Sequence, residues 1–249
     1  MQIVAIANQK GGVGKTTITF NLSKELAKRG YSVLAIDNDP QGNLTAAFLA
    51  NPEEPRADVL KWYRDDYTVE PEHIEENLDL IGADIQLATI SDSEQLALLS
   101  LQEGIKGLKR KYDVILIDCL PSLGLLSLAA LSAAQHILIP AKPALFSIKG
   151  LKTLFDTTER VRNKMNPKLA VLGIVLNLVE GRATVSGDQL EEMIRQQYGA
   201  LVFDAKITRG TRLEESPAFN QSISEYDQHS KVAVQLSTFT DEFLKRLKI

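Results

Sequence analysis

The chain has 249 residues, 44% of them hydrophobic and 24% charged, and its 28 Lys and Arg against 32 Asp and Glu leave a formal net charge of −4. That balance disfavours a protein that grips nucleic acid through a bulk positive field and excludes a disordered or fibrous chain, and the length suits one large domain or two small ones with a sizeable core. A single cysteine, Cys119, excludes an intrachain disulfide and fits a reducing compartment, while His73, His136 and His229, far apart and without cysteine neighbours, argue against a zinc site.

The N-terminus reads Met-Gln-Ile-Val-Ala-Ile-Ala without a basic lead and soon meets a glycine loop, so it does not read as a signal peptide. No apolar run approaches the ~18 residues of a membrane-spanning helix, and the expected location is cytoplasmic. Residues 3–7 predict a first strand, residues 16–29 a helix closed by Gly30, and residues 32–36 a second strand ending at Asp37. Residues 51–76, with three prolines, many charges and the pair Trp62-Tyr63, read as a surface excursion over the ligand-bearing edge. Residues 78–82, 114–117, 136–139, 170–176 and 201–203 predict further strands. Continuous apolar strands separated by helical segments indicate an α/β fold, a mostly parallel twisted sheet with helices on both faces, over one domain spanning 1–249. Near the end, Val232, Leu236, Phe239, Phe243 and Leu247 recur at three- and four-residue intervals beside Lys245, Arg246 and Lys248. Such a stripe suits a membrane-surface helix or a helix docked on the sheet, and Asp241 and Glu242 within it favour docking.

Between the first strand and first helix stands Lys10-Gly11-Gly12-Val13-Gly14-Lys15-Thr16-Thr17. The strict phosphate-loop template needs a glycine at position 9, where Gln9 stands, but the remainder is intact. Glycines let backbone N–H groups turn inward round phosphate oxygens, and the helix N-terminus adds the positive end of its dipole. Lys15 can reach the β- and γ-phosphates and the Thr16 hydroxyl can ligate Mg²⁺, so ATP and Mg²⁺ are the expected cofactors. Asp118 ends an apolar strand at the edge where parallel sheets bind ligands, and is expected to hold Mg²⁺ through a water. Asp37 and Asp39 follow another strand at the same edge and are expected to divide labour.

With a lysine at its start, this loop resembles the deviant Walker A box of the ParA/Min superfamily of ATPases. The resemblance runs along most of the chain. Asp37-Asn38-Asp39-Pro40-Gln41-Gly42-Asn43 is similar to the second signature of ParA-type partition ATPases, and the run from Tyr112 to Asp118, continued by Pro121-Ser122-Leu123-Gly124, to their Walker B strand. Arg212-Leu213-Glu214-Glu215-Ser216-Pro217 looks like the family's late run of Arg, an acid, a small residue and Pro. The resemblance implies a Rossmann-like P-loop NTPase forming a nucleotide-sandwich homodimer when ATP-bound, with Lys10 of each subunit reaching the phosphates held by the other. It also implies that Asp39 positions or activates the attacking water, that Asp37 supports the metal shell, and that Asn177 lies against the adenine, a plain strand-closing Asn being the alternative. The catalytic candidates are thus Lys10, Lys15 and Asp39. Nucleotide contacts fall to Lys10, Gly11, Gly12, Val13, Gly14, Lys15, Thr16, Thr17 and Asn177, and metal contacts to Thr16, Asp37 and Asp118.

Several branches of the superfamily share these motifs. A lone cysteine excludes those that hold an iron–sulfur cluster through paired cysteines. Arg182 and Arg212 align with positions where chromosomal partition ATPases place DNA-contacting arginines, and Arg209 lies close by; the alternative is ordinary solvated arginines, or ion pairs with Glu214 and Glu215. Leu120, Gln135 and Lys142-Pro143 depart from the family's pattern, which keeps cargo-positioning members in competition with plasmid or chromosome partition. No helix-turn-helix extension is read, so autorepression through a specific operator is not expected. The expected activity is slow, partner-stimulated ATP hydrolysis by a dimer that binds nonspecific double-stranded DNA, is nucleoid-associated and lacks a stable membrane anchor. A ParB-like adaptor on a plasmid, chromosome region or carboxysome-like cargo would stimulate it. The rivals are a Min-type membrane-cycling regulator of cell division and a metabolic ATP-dependent enzyme.

Overall fold

Apolar runs that alternate with helical segments assemble into one eight-stranded sheet. Its strands are β1 Gln2–Ile6, β2 Val33–Asn38, β3 Glu72–Glu75, β4 Leu78–Ile81, β5 Val114–Cys119, β6 His136–Ala141, β7 Ala170–Val179 and β8 Val202–Thr208. The computed structural model describes residues 1–53, 55–90, 95–180 and 185–249, without the side chains of residues 95, 96, 145–149, 185 and 186. The strand order is β3-β4-β2-β5-β1-β6-β7-β8, and every neighbouring pair is parallel except β3 with β4. The helices are α1 Lys15–Lys28, α2 Asn43–Phe48, α3 Val59–Tyr63, α4 Ser100–Gly107, α5 Leu125–Ala133, α6 Leu145–Lys164, α7 Val185–Tyr198, α8 Thr211–Glu215, α9 Ile223–Tyr226 and α10 Lys231–Leu247.

Side chains alternate across a strand, and β2 shows how this divides the core. Leu34 and Ile36 join the cluster of α3, α4 and α5, whereas Val33 and Ala35 join that of α1, α2 and α10. The chain leaves central β1 towards β2 on one side and reaches β6 on the other, so the carboxyl end of β1 is a topological switch point, where open α/β sheets bind ligands. Strands β2, β5 and β7 run past their expected ends, which puts Asp37, Asp118 and Asn177 inside strands rather than at or just beyond their ends.

Residues 51–76 are more than a surface excursion. Trp62 is fully buried and Val59, Leu60 and Tyr63 are buried with it in the core. A Cβ on Gly104 would lie 2.2 Å from the Trp62 ring, so the contact between α4 and this indole needs glycine. The apolar residues are packed into one short helix, and the surrounding charges mask them in any average over the segment. The segment ends in β3, an antiparallel edge strand whose acidic residues discourage edge-to-edge pairing.

The terminal stripe docks on the sheet. Val232, Leu236, Phe239, Phe243 and Leu247 are all buried, and the Arg246 guanidinium lies 3.9 Å from the Phe203 ring centre while donating to the carbonyls of Leu172, Leu201 and Val202. Among the described residues no helix is long and apolar enough to cross a membrane.

Candidate functional site

The glycine loop between β1 and α1 is held from three sides. Asn8 accepts from the Lys10 N–H at 3.0 Å and donates to the Pro140 carbonyl at 2.8 Å, and Asn177 Nδ2 donates to the Val13 carbonyl at 2.8 Å. Val13 itself is buried and anchors the loop in the core. Gly14 caps α1 with a φ of 83°, and a Cβ there would meet Asn177 Nδ2 at 2.2 Å, so both conformation and space require glycine. No side chain caps α1, which leaves its first-turn N–H groups directed at whatever the loop encloses.

Three carboxylates converge on the same edge from β2 and β5. Asp118 accepts from the Thr16 hydroxyl at 2.7 Å, and the Thr19 hydroxyl lies 3.2 Å from its other oxygen. Asp37 is fully buried; one oxygen accepts from the Asp39 N–H at 3.2 Å, and the other from both the N–H and the hydroxyl of Thr45 at 2.8 Å. Asp39 has left the strand, accepts from the Gln41 N–H at 3.0 Å and faces the cavity. A cavity of about 430 Å³ opens there, lined by Gly11, Gly12, Gly14, Lys15, Thr16, Thr17 and Asp39, with Phe20, Pro121 and Pro217 adding apolar walls.

Burial dominates the electrostatics. It pushes the Asp118 carboxyl up to about 8 and that of Asp37 up to about 6, with Asp37 adding to the rise at Asp118 and Asp39 adding to both. Hydrogen bonds from Thr16 to Asp118 and from Thr45 to Asp37 pull the other way. Burial also lowers the Lys15 ammonium, opposed by Asp118, Cys119 and Asp39. A divalent cation would relieve this concentration of carboxylates. Among the described residues no three His, Cys, Asp or Glu side chains close around a metal. That fits Mg²⁺, which keeps several waters and needs only the Thr16 hydroxyl and a nearby carboxylate from the protein.

The expected site residues are not all at the cavity. Lys15 Nζ lies 3.4 Å from the Lys10 carbonyl, but the Lys10 side chain runs towards α6, its stem beside Gly150. Asp37 and Asn177 sit behind the lining, the first holding the start of α2 through Thr45 and the second bracing the loop. Arg209 and Arg212 are exposed after β8 and paired with Glu214 and Asp227 respectively, the latter partner unforeseen; Arg182 lies outside the described residues. Thr19 and Thr45 are the contributors that the sequence reading missed. Thr19 could have been found one helical turn after Thr16, on the face that meets Asp118.

A protein-family model described as an AAA domain matches residues 1–171. The chromosome-partitioning ATPase Soj of Thermus thermophilus is 34% identical over 249 residues, covering 98% of this chain and 96% of its own. The chromosome partitioning protein ParA of Myxococcus xanthus is 33% identical over 255 residues, covering 98% and 88%. The chain belongs to the ParA-type family of ATPases. Among solved structures, one described as cobyrinic acid a,c-diamide synthase from Mycobacterium smegmatis with bound ADP and magnesium matches this ParA-type chain with a TM-score of 0.83 and 29% identity, covering 100% of this chain and 96% of that one.

Proposed function

We propose that this ParA-type ATPase is a DNA-bound switch driven by ATP. ATP and Mg²⁺ occupy the loop cavity, two copies close over two nucleotides, and the dimer binds double-stranded DNA without sequence preference. A ParB-like adaptor on a plasmid, chromosome region or protein cargo then stimulates hydrolysis and releases it. The observation that supports this best is the division between the loop lysines: Lys15 lines its own cavity, whereas the Lys10 side chain runs off towards α6. A loop lysine directed away from its own phosphates suits one that serves the facing subunit.

In this reading Lys15 and the N–H groups of the loop hold the β- and γ-phosphates, Thr16 and Asp118 hold the metal, and Asp39 orients the attacking water. Asp37 supports that shell from behind by fixing the loop through Thr45 and Asp39. Mg²⁺, when bound, neutralises charge shared by the β- and γ-phosphates. Asn177 is fully buried and outside the cavity lining, so it braces the loop from behind and does not lie against the adenine. Phosphoryl transfer needs mostly positioning and charge stabilisation, so this set suffices for a slow hydrolase that a partner accelerates.

Arg182, Arg209 and Arg212 supply the phosphate contacts, with dimerisation doubling them. Arg209 and Arg212 exchange their carboxylate partners for DNA phosphate on binding, and the ATP-bound dimer is nucleoid-associated within the cytoplasm. Docking of α10 and the internal use of Arg246 weigh against a membrane-cycling Min-type role. The deciding experiment is a DNA mobility shift with ATP, ADP and no nucleotide. Binding with ATP alone is the expected result; DNA binding indifferent to nucleotide, or absent throughout, overturns the proposal.

A further inference from the structure

Strand alternation places Asn38 on the same face of β2 as Leu34 and Ile36, the face packed against α3, α4 and α5. A polar residue at the end of that apolar row is costly unless its groups are paired, and both are. Asn38 is fully buried; its Nδ2 donates to the Leu126 carbonyl in the first turn of α5 at 2.9 Å, and its Oδ1 accepts from the buried Tyr63 hydroxyl on α3 at 2.8 Å. The pieces joined are functionally distinct. Asp39 follows Asn38 directly, α5 begins just past the loop of Asp118 and Pro121, and α3 belongs to the segment at residues 51–76.

We infer that the Tyr63–Asn38–Leu126 bridge is a positioning device for hydrolysis. It fixes the end of β2 against α5 and thereby holds the Asp39 carboxylate at the cavity in register with the loop that follows Asp118. Neither Asn38 nor Tyr63 lines the cavity, so both act through Asp39 and leave the phosphate loop untouched. The inference rests on the assignment of Asp39 to the attacking water. It makes residues 51–76 part of the hydrolytic apparatus rather than a cover for the sheet edge.

The test is steady-state ATP hydrolysis by Tyr63→Phe, Asn38→Leu, the double variant, Asp39→Ala and Asp39→Ala with Tyr63→Phe, each checked by thermal melting. A displacement of order 1 Å at a reacting group costs up to about a hundredfold, so a partial release of Asp39 should lower kcat by about tenfold in each bridge variant with KM for ATP unchanged. The double variant should turn over no more slowly than Asn38→Leu alone, because one bridge is broken once. In the Asp39→Ala background, Tyr63→Phe should have no further effect on turnover while shifting the melting temperature as it does in the parent. Normal kcat in folded Tyr63→Phe and Asn38→Leu, with Asp39→Ala impaired, overturns the bridge alone. Normal turnover by Asp39→Ala removes the underlying assignment and the bridge with it. A rise in KM matching the fall in kcat/KM also overturns it, by showing that the bridge supports nucleotide binding instead.

Discussion

Asn177 on β7 holds the Val13 carbonyl at 2.8 Å, joining residues 164 positions apart at the back of the phosphate loop. The loop's own glycines favour many conformations, and this bond selects one. A buried carbonyl left unpaired costs about 1–3 kcal/mol, so Asn177→Ala should weaken ATP binding by about tenfold while the sheet stays folded. Calorimetric titration measures this. Unchanged affinity would show that the loop keeps its shape without the brace.

Two glycines in the same loop should respond in opposite ways to substitution. A Cβ on Gly11 meets nothing nearer than Pro121 Cβ at 4.0 Å, whereas one on Gly14 strikes Asn177 at 2.2 Å on a backbone with φ of 83°. Gly11→Val should therefore fold and bind ATP but remain monomeric, because the added bulk faces the proposed partner subunit. Gly14→Ala should lose ATP binding, and combining it with Asn177→Ala should not restore it, since the left-handed backbone still costs of order 1 kcal/mol or more. Light scattering with ATP and nucleotide titration separate the two. An ATP-dependent dimer of Gly11→Val would count against the sandwich.

The apolar strands and glycine loop were legible because their signals are local: unbroken runs for β1, β2 and β5, and a loop framed by strand and helix. The buried α3 was not legible, since its apolar residues sit within a segment rich in charge and proline. The site shows the same divide. Thr16, Lys15 and Asp118 follow from motif chemistry, but Thr45 and Asn38 act through contacts made only once β2 packs on α2 and α5. Likewise, sequence offered Glu214 and Glu215 as partners for the late arginines, whereas Arg212 pairs with Asp227, which caps the end of α9.

The terminal helix gives a sharp test of the membrane alternative. Phe243 is fully buried and Leu247 nearly so, and removing a buried Phe side chain costs about 3–5 kcal/mol. Phe243→Ala should lower the melting temperature markedly, and removing residues 243–249 should destabilise the whole sheet rather than detach a tail. Lys245→Glu with Lys248→Glu is the cleaner variant, because it changes the basic flank without touching the stripe. Liposome flotation with ATP should show neither parent nor variant floating. Flotation of the parent that the charge reversal abolishes would restore the membrane reading.

The charge of the chain is unevenly placed, and this shapes the DNA prediction. Residues 51–76 carry nine acidic and three basic side chains, more than the whole net charge of −4. They lie at the β3 and β4 edge, and the chain after β8 crosses back towards it: Asp227, the partner of Arg212, is two residues from Glu225, which shares Lys24 with Glu75, so the exposed arginines sit among acidic side chains that DNA phosphate must displace. Arg212→Gln frees Asp227 and removes one phosphate contact per subunit. Each neutralised phosphate contributes a slope of about −0.9 in log affinity against log salt, so a dimer losing two should show a dependence shallower by about 2. ATP-dependent dimerisation should persist, and thermal stability should change little, because the Arg212 side chain is exposed. A salt-varied shift assay reads both quantities, and an unchanged slope would remove Arg212 from the DNA surface.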